Sequence, residues 1–430
     1  MPPLEEIDNK FEQLRQGLPE NLEQLAREHK AFQRAKKIKS VFELLRVVML
    51  YSIGQLSLRE IAGWFTGRGQ RMTDEAIRGR LHACVDWLKA LLVEMLPRVQ
   101  LPEREGGWKL IICDGSVLNG PASQGVDYRF HLSFDPLEQK IEQLLLSDAK
   151  TGESLKNFRH GPNSLVLGDR GLAKAPAMIA VQESGADLLV RITPQYLVLK
   201  DLNGDRLELV RKLVRARRQT RLSFEVLVED AKSGKTIPAY VHAARLDEKA
   251  VNRARRRIKR RASTQGSMVK KETLILSEWL LLLTTVPPSI LPAEAILELY
   301  RVRWQVELLI KKFKSLLDAD ALRAQAGSPL AEVYLLGKLL FGLLVENRAL
   351  KRVGNQWTLM IAGRLATWWR IWKMIAAEIK EAVLDTHSWD GLDWREMLKV
   401  LGERRRKRKL QVIPEAIANW LKGKSVTNPI

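Results

Sequence analysis

Apolar residues recur at helical spacing through the first hundred positions. Phe11, Leu14 and Leu18, then Leu22 and Leu25, advance by three or four, and Pro19 between the two groups predicts two short helices. Val41 to Tyr51 is an apolar helix by the same test. Ser57 with Glu60 forms a capping box for a helix that continues through Ile61 to Phe65 and ends at Gly67-Arg68-Gly69. Thr73 opens a further helix, predicted to run through Arg78, Arg80 and His82 to Leu96. A helix, a glycine-containing turn and a helix whose start carries Arg78 and Arg80 have the layout of a DNA-binding helix-turn-helix. A plain helical hairpin packed in a bundle reads the same way.

After a polar linker at 102–107 the period changes from 3.6 to 2. Lys109 to Cys113, Tyr128 to Phe134, Ile141 to Leu146, Leu165 to Leu167 and Leu188 to Ile192 are predicted strands. A short helix at Gly152 to Phe158 and a longer one at Lys174 to Ser184 separate them. Three consecutive strands, a crossover, a fourth strand and alternation afterwards predict an α/β core with a mixed sheet of ribonuclease H-like type. Residues 195–275 read as a β-rich insertion with a basic arm. Its hairpins are predicted at Tyr196 to Leu199, Asp201 to Leu209 around Asn203-Gly204, Leu222 to Val228 and Thr236 to Val241. The arm carries Arg255, Arg256, Arg257, Lys259 and Arg260; it is expected to be helical at its start and mobile from Ala262 to Gly266. Glu278 to Thr285 is a buried strand, closed by Pro287-Pro288. Residues 328–385 turn helical again, with most of Trp357, Trp368, Trp369 and Trp372 assigned to a core. A basic run at Arg404 to Lys409 precedes a last helix at Pro414 to Leu421. The division that follows is 1–100 helical, 108–194 and 276–325 as two parts of the core, 195–275 inserted, and 328–430 helical.

One stretch combines helical periodicity with an unusual polar face. From Leu297 to Leu317, Tyr300, Arg303, Glu307, Lys311 and Lys314 advance by 3, 4, 4 and 3 and share one stripe of a helix. Val306, Leu309, Ile310 and Phe313 fall on the other side. The stripe sets one carboxylate among cations and a phenol, where a solvated face normally alternates acids and bases.

Charge gives that stripe a partner. The 430 residues carry a formal charge of +21, with an isoelectric point near 10, so the expected partner is a polyanion, nucleic acid before an anionic membrane surface. Two cysteines, Cys84 and Cys113, make neither a disulfide framework nor a zinc site and read as core thiols in a reducing cytoplasm. The six histidines show no ligand spacing, the polar N-terminus does not resemble a signal peptide, and no apolar run reaches the length of a membrane span.

Asp114 and Asp169 each follow a short apolar strand and stand at a glycine turn, Asp114-Gly115-Ser116 and Gly168-Asp169-Arg170-Gly171. A carboxylate at the end of a buried strand needs a partner. If neighbouring strands carry both, and the striped helix brings Glu307, three carboxylates converge. Oxygen-only ligands then favour two Mg²⁺ or Mn²⁺ ions over zinc. Taken singly, either aspartate is equally a turn former.

The combination resembles the DDE transposases of the bacterial insertion-sequence class with a Y-R-E-K signature, the "IS four" family. Tyr300, Arg303, Glu307 and Lys314 stand at the spacing Y-x2-R-x3-E-x6-K, and the Asp114 and Asp169 turns are similar to the two acidic motifs. The resemblance spans roughly residues 108–325. It implies Asp114, Asp169 and Glu307 as a metal-binding catalytic triad. It further implies that Tyr300, Arg303 and Lys314 contact terminal phosphates; Lys311 joins them by its place on the stripe. Trp279 is the candidate for stacking on a flipped base, or else simply starts the buried strand, while Trp304 is assigned to packing. Arg170 contacts phosphate or orients Asp169. By the same resemblance residues 1–100 bind transposon ends, and 328–430 supply contacts of a homodimer. The implied activity is cut-and-paste transposition of double-stranded DNA inside a bacterial cell. Two alternatives remain open: a related metal nuclease without strand transfer, and a DNA-binding derivative whose catalytic pocket is unused.

Overall fold

The computed structural model describes residues 9–96, 108–120, 123, 125–138, 140–317, 322–353, 360–361, 364–365, 368–385 and 393–401. The linker at 102–107, Trp357, the basic run at 404–409 and the helix expected at 414–421 lie outside the described residues.

The described residues open with six α-helices: α1 (Asn9–Glu12), α2 (Leu22–Glu28), α3 (Val41–Ser52), α4 (Leu58–Thr66), α5 (Asp74–His82) and α6 (Val85–Met95). Side-chain caps start three of them. Ser40 accepts from Glu43 N, Ser57 and Glu60 close the expected capping box, and Thr73 accepts from Ala76 N. The single helix expected from Thr73 to Leu96 is instead two. At Ala83-Cys84 the ladder loosens, with Ala83 N at 3.4 Å from Gly79 O and Cys84 N bonding back three residues to Leu81 O. The turn lets α6 bury Trp87, Leu88, Leu91 and Leu92 while α5 keeps a largely exposed outer face.

A nine-stranded mixed sheet follows, in the order β3-β2-β1-β4-β5-β9-β8-β7-β6. Its first strands are β1 (Lys109–Leu118), β2 (Tyr128–Asp135), β3 (Lys140–Asp148), β4 (Ser164–Gly168) and β5 (Asp187–Arg191), with α7 (Ala175–Glu183) between the last two. β1 to β3 pair antiparallel, while β1, β4 and β5 run parallel. Alternation along these strands builds two cores. Ile111, Cys113, Val166, Leu188 and Val190 pack with Ala177, Met178 and Val181 of α7. Leu110, Ile112, Leu165, Leu167 and Leu189 join the larger core made with the helices of the other face. Both cysteines are buried free thiols, and burial pushes Cys84 up to about 12, so neither is a nucleophile at neutral pH.

The segment 195–275, expected to be β-rich, mixes strands with helices. Beside β6 (Val198–Lys200), β7 (Arg221–Glu229) and β8 (Thr236–Arg245) it contains α8 (Leu209–Arg215), α9 (Glu248–Thr264) and α10 (Lys271–Leu276). Directly after the hairpin expected at Asp201 to Leu209, the chain coils into α8, and Leu209, Leu213 and Ala216 bury one face at steps of four and three. The arm expected to loosen beyond Arg261 stays helical to Thr264, started by Asp247, whose carboxylate accepts from Ala250 N. The β7–β8 hairpin extends the central sheet, because β8 pairs with β9 (Trp279–Thr284) and β9 with β5.

Helices α11 (Ala293–Arg301) and α12 (Trp304–Leu317) then cross the larger core. α13 (Pro329–Val353), α14 (Trp368–Leu384) and α15 (Trp394–Leu401) return to the N-terminal helices. α13 packs on α3 and α6, and α15 packs on α4. That last approach needs glycine: a Cβ at Gly67 would sit 2.5 Å from Met397 Sδ, and one at Gly63 3.0 Å from Leu401 Cδ2. The N-terminal helices and α13 to α15 thus share one helical body against the larger core. Trp372 is fully buried there and Trp369 is half-buried. Among the described residues, no helix is long and apolar enough to cross a membrane.

Candidate active site

β1 and β4 lie side by side in parallel, with Cys113 opposite Gly168. The next residue on each chain is an aspartate, so Asp114 and Asp169 occupy neighbouring positions at one edge of the sheet. β4 ends there, but β1 continues to Leu118 along β2, so Asp114 stands within a strand and not at its end. By alternation Asp114 shares the face of Ile112, toward α11 and α12.

The environment of Asp114 is poor in compensation. Burial pushes its carboxyl up to about 6, and the like charges of Asp169 and Glu153 act in the same direction. The Gly115 N–H, 2.8 Å from Oδ1, and the charge of Arg303 oppose the shift without cancelling it.

Tyr300 closes the site from α11. It is buried, and its hydroxyl lies 3.4 Å from both Gly168 O and Asp169 Oδ1, at the long limit of a hydrogen bond. Burial, then the charge of Asp169, raise its pKa, so it remains a donor. Arg303 places its guanidinium 5.6 Å from the Tyr300 ring centre and gives Nη2 to Glu307 Oε1 at 2.6 Å. Its side chain is 13% exposed, and Nε is buried without a hydrogen-bond partner. A buried, unused guanidinium donor facing carboxylates is suited to a ligand oxygen.

The helix expected to run unbroken through this stripe is interrupted at Val302-Arg303. Val302 N, Arg303 N, Gln305 N and Val306 N each bond back three residues, to Leu299, Tyr300, Val302 and Arg303. This tighter turn puts Tyr300 at the end of one helix and Glu307 in the first turn of the next. Beyond it, Val306, Leu309, Ile310 and Phe313 are buried as expected, Lys314 is half-buried and Lys311 exposed.

Two aromatic assignments change. Trp279, expected to stack on a base, is 4% exposed: β9 is an interior strand of the sheet, and the Trp279 ring belongs to the core under α7 and α8. Trp304, expected to pack, is 59% exposed, and Leu308 one turn on is 46% exposed. Both flank Arg303 and Glu307 on α12.

The remaining cations lie farther out. Arg170 is exposed, and among the described residues it makes no hydrogen bond to Asp169. On α9, Arg256, Arg257, Lys259 and Arg260 are at least partly exposed, whereas Arg255 is tied to Glu278 at 2.6 Å. Arg78 is exposed and pairs with Glu75 at 3.3 Å. Arg80 lines a groove between α5 and the loop that joins α2 to α3, together with Lys30, Arg34, Lys36 and Lys37. That loop was not picked out from the sequence, although the run from Lys30 to Lys39 is visibly basic.

The family described as the transposase DDE domain matches residues 125–331, which takes in Asp169, Tyr300, Arg303, Glu307 and Lys314 and begins after Asp114. The chain is also 29% identical over 338 residues to the transposase for insertion sequence element IS421 of Escherichia coli, covering 77% of this chain and 91% of that protein. Over these residues the chain is similar to the DDE transposases. The putative transposase InsL of insertion sequence element IS186A, from Escherichia coli strain K12, is a further relative, 29% identical over 337 residues with the same coverage. A solved piggyBac transposase synaptic complex with hairpin DNA aligns over 95% of this chain and 86% of its own, at 9% identity and a TM-score of 0.42.

Transposases of this family use divalent metal, and the donor chemistry here suits a hard cation. The groups are carboxylate oxygens, and Asp114 carries buried negative charge that its surroundings do not neutralise. Among the described residues no three Asp, Glu, His or Cys side chains form a metal cluster, and Glu307 is engaged by Arg303. One acidic neighbour escaped the sequence reading altogether. Glu153, in the segment after β3, acts on Asp114 from a position that no motif or periodicity marks.

Proposed function

We propose that this transposase hydrolyses a phosphodiester at each end of its insertion sequence and joins the freed 3′-hydroxyls to target DNA. The observation that carries the reading is the placement of Asp114 in β1 beside Asp169 just after β4, with the Tyr300 hydroxyl 3.4 Å from Asp169 Oδ1 and Arg303, which pairs with Glu307, acting on Asp114. The order and directions of β1 to β5 support a ribonuclease H-like core, in which 195–275 is the insertion between the second aspartate and the glutamate.

Asp114, Asp169 and Glu307 would hold two Mg²⁺ or Mn²⁺ ions, which when bound activate the attacking oxygen and neutralise the leaving one. Arg303 takes a terminal phosphate by its free Nε and, by moving onto that phosphate, releases Glu307. Tyr300 donates its hydroxyl at the Asp169 edge. Lys314 and Lys311 extend the phosphate track along α12. Trp304, with its ring exposed beside Arg303, replaces Trp279 as the surface on which an unpaired base stacks.

DNA outside the site follows two basic surfaces. One is the exposed side of α9; the other is the groove of Lys30, Arg34, Lys36, Lys37 and Arg80, which supports α5 as a helix that meets the transposon end. Two copies of the chain hold the two ends. The test is Mg²⁺-dependent cleavage and joining of a duplex carrying the element's own end, wild type against Asp169→Asn. Cleavage without joining to a target plasmid would leave a nuclease; binding without cleavage would leave the DNA-binding derivative.

A further inference from the structure

Glu153 sits between β1 at Gly115 and the turn that carries Asp169. Its stem covers the first: a Cβ built on Gly115, the residue after Asp114, would lie 3.3 Å from Glu153 Cγ. Its carboxylate covers the second: a Cβ on Gly171, two residues after Asp169, would lie 3.2 Å from Glu153 Oε2. A Cβ at either place would press on this side chain.

The backbone beneath it is fixed. Asn157 Nδ2 donates to Gly152 O at 2.9 Å and meets Nδ1 of the fully buried His131 at 3.3 Å. The other ring nitrogen of His131 meets Ser147 Oγ at 2.8 Å on β3. Lys174 Nζ donates to Glu153 O at 3.3 Å, tying the same segment to the start of α7. Glu153 is thereby held on both sides, yet among the described residues its carboxylate has no hydrogen bond or ion pair. A half-buried, unpaired carboxylate in a chain of charge +21 is unusual, because cations to pair with it are abundant.

We propose that Glu153 is a fourth carboxylate of the catalytic centre, lodged between β1 at Gly115 and the Asp169 turn so that it binds, directly or through a water, the divalent cation that Asp114 and Asp169 hold. This rests on the metal-dependent reading above. The like-charge influence of Glu153 on Asp114 is consistent with it. Glu153 approaches across Gly115 and Gly171, while Glu307 approaches from α12. The cation therefore meets acidic groups from both sides of the sheet edge, and the Glu153 contribution does not depend on Arg303 releasing Glu307.

The test is Mn²⁺ binding to the full chain, followed by titration calorimetry or electron paramagnetic resonance without DNA. Glu153→Gln preserves shape and removes charge. It should weaken Mn²⁺ about tenfold, within the range for groups that support metal ligands, and leave the metal-free melting temperature unchanged. Gly171→Ala keeps Glu153 but crowds its carboxylate, and should weaken Mn²⁺ in the same direction. Wild-type Mn²⁺ affinity in Glu153→Gln would overturn the proposal while leaving the metal reading intact. No Mn²⁺ binding by the wild type, together with no metal-dependent cleavage, would overturn both.

Discussion

The Arg303–Glu307 pair makes a quantitative prediction. Its charges, about 4 Å apart between group centres, attract by about 4 kcal/mol at an effective dielectric of about 20. Stripping water from a partly buried pair and fixing two long side chains take back half or more of that. About 1–2 kcal/mol of coupling remains for a contact of 2.6 Å with the arginine 13% exposed. Denaturant unfolding of Arg303→Met, Glu307→Gln and the double variant isolates this value as a double-mutant cycle. The same pair occupies the carboxylate that a cation needs. Arg303→Met should therefore bind Mn²⁺ more tightly than wild type, by up to about tenfold for each 1.4 kcal/mol of pairing removed. It should bind the transposon end more weakly, having lost its phosphate donor. Coupling below about 0.3 kcal/mol, or weaker Mn²⁺ binding by Arg303→Met, would refute the exchange of Glu307 between arginine and metal.

Other consequences follow from single residues. Burial, then Arg129, push His131 down to about 4 from its ordinary 6.5, so the folded ring refuses a proton that the unfolded chain accepts. The stability this reflects is present above pH 6.5 and lost as pH falls toward 4, on the order of 2–3 kcal/mol by pH 4.5; denaturation at pH 7.5 and 4.5 should show that extra loss in wild type and not in His131→Gln. Exchanging Lys30, Arg34, Lys36 and Lys37 for alanine should lower the slope of log affinity for DNA against log salt by up to about one for each phosphate no longer neutralised; an unchanged slope would remove the groove from the DNA path. Trp304→Ala should reduce cleavage of the end and the quenching of tryptophan fluorescence by DNA, whereas Trp279→Phe should keep both and lose stability instead. The opposite pattern would return the stacking role to β9.

The candidate residues could be picked out because their signals are local. An apolar run leading into an aspartate and a glycine marks Asp114 and Asp169, although β1 runs on through Asp114 to Leu118, and fixed spacing ties Tyr300, Arg303, Glu307 and Lys314 together. What brings the aspartates together is the β1–β4 register, which sequence order suggested but no short segment encodes. The misreadings share a cause: exposure is settled by tertiary neighbours. Trp279 and Trp304 carry the same side chain, and only the interior place of β9 and the outward face of α12 separate them. The break at Val302-Arg303 has no proline or glycine to announce it. α8 was written in the sequence, in the four-and-three spacing of Leu209, Leu213 and Ala216, but the surrounding β-pattern outweighed it. Glu153 carried no local signal, since its importance lies in two glycines distant in the chain.

The central claim is that Asp114, Asp169 and Glu307 form one metal-dependent centre for cutting DNA. Its most direct measurement is the rate of Mg²⁺-dependent strand cleavage on a duplex bearing the element's end, for wild type, Asp114→Asn, Asp169→Asn and Glu307→Gln, with binding of the same duplex measured alongside. The account predicts cleavage by wild type, a loss of at least about a thousandfold in each variant, the scale of about 4 kcal/mol in the barrier, and binding retained in all four. Cleavage at the wild-type rate by any of the three variants would contradict it.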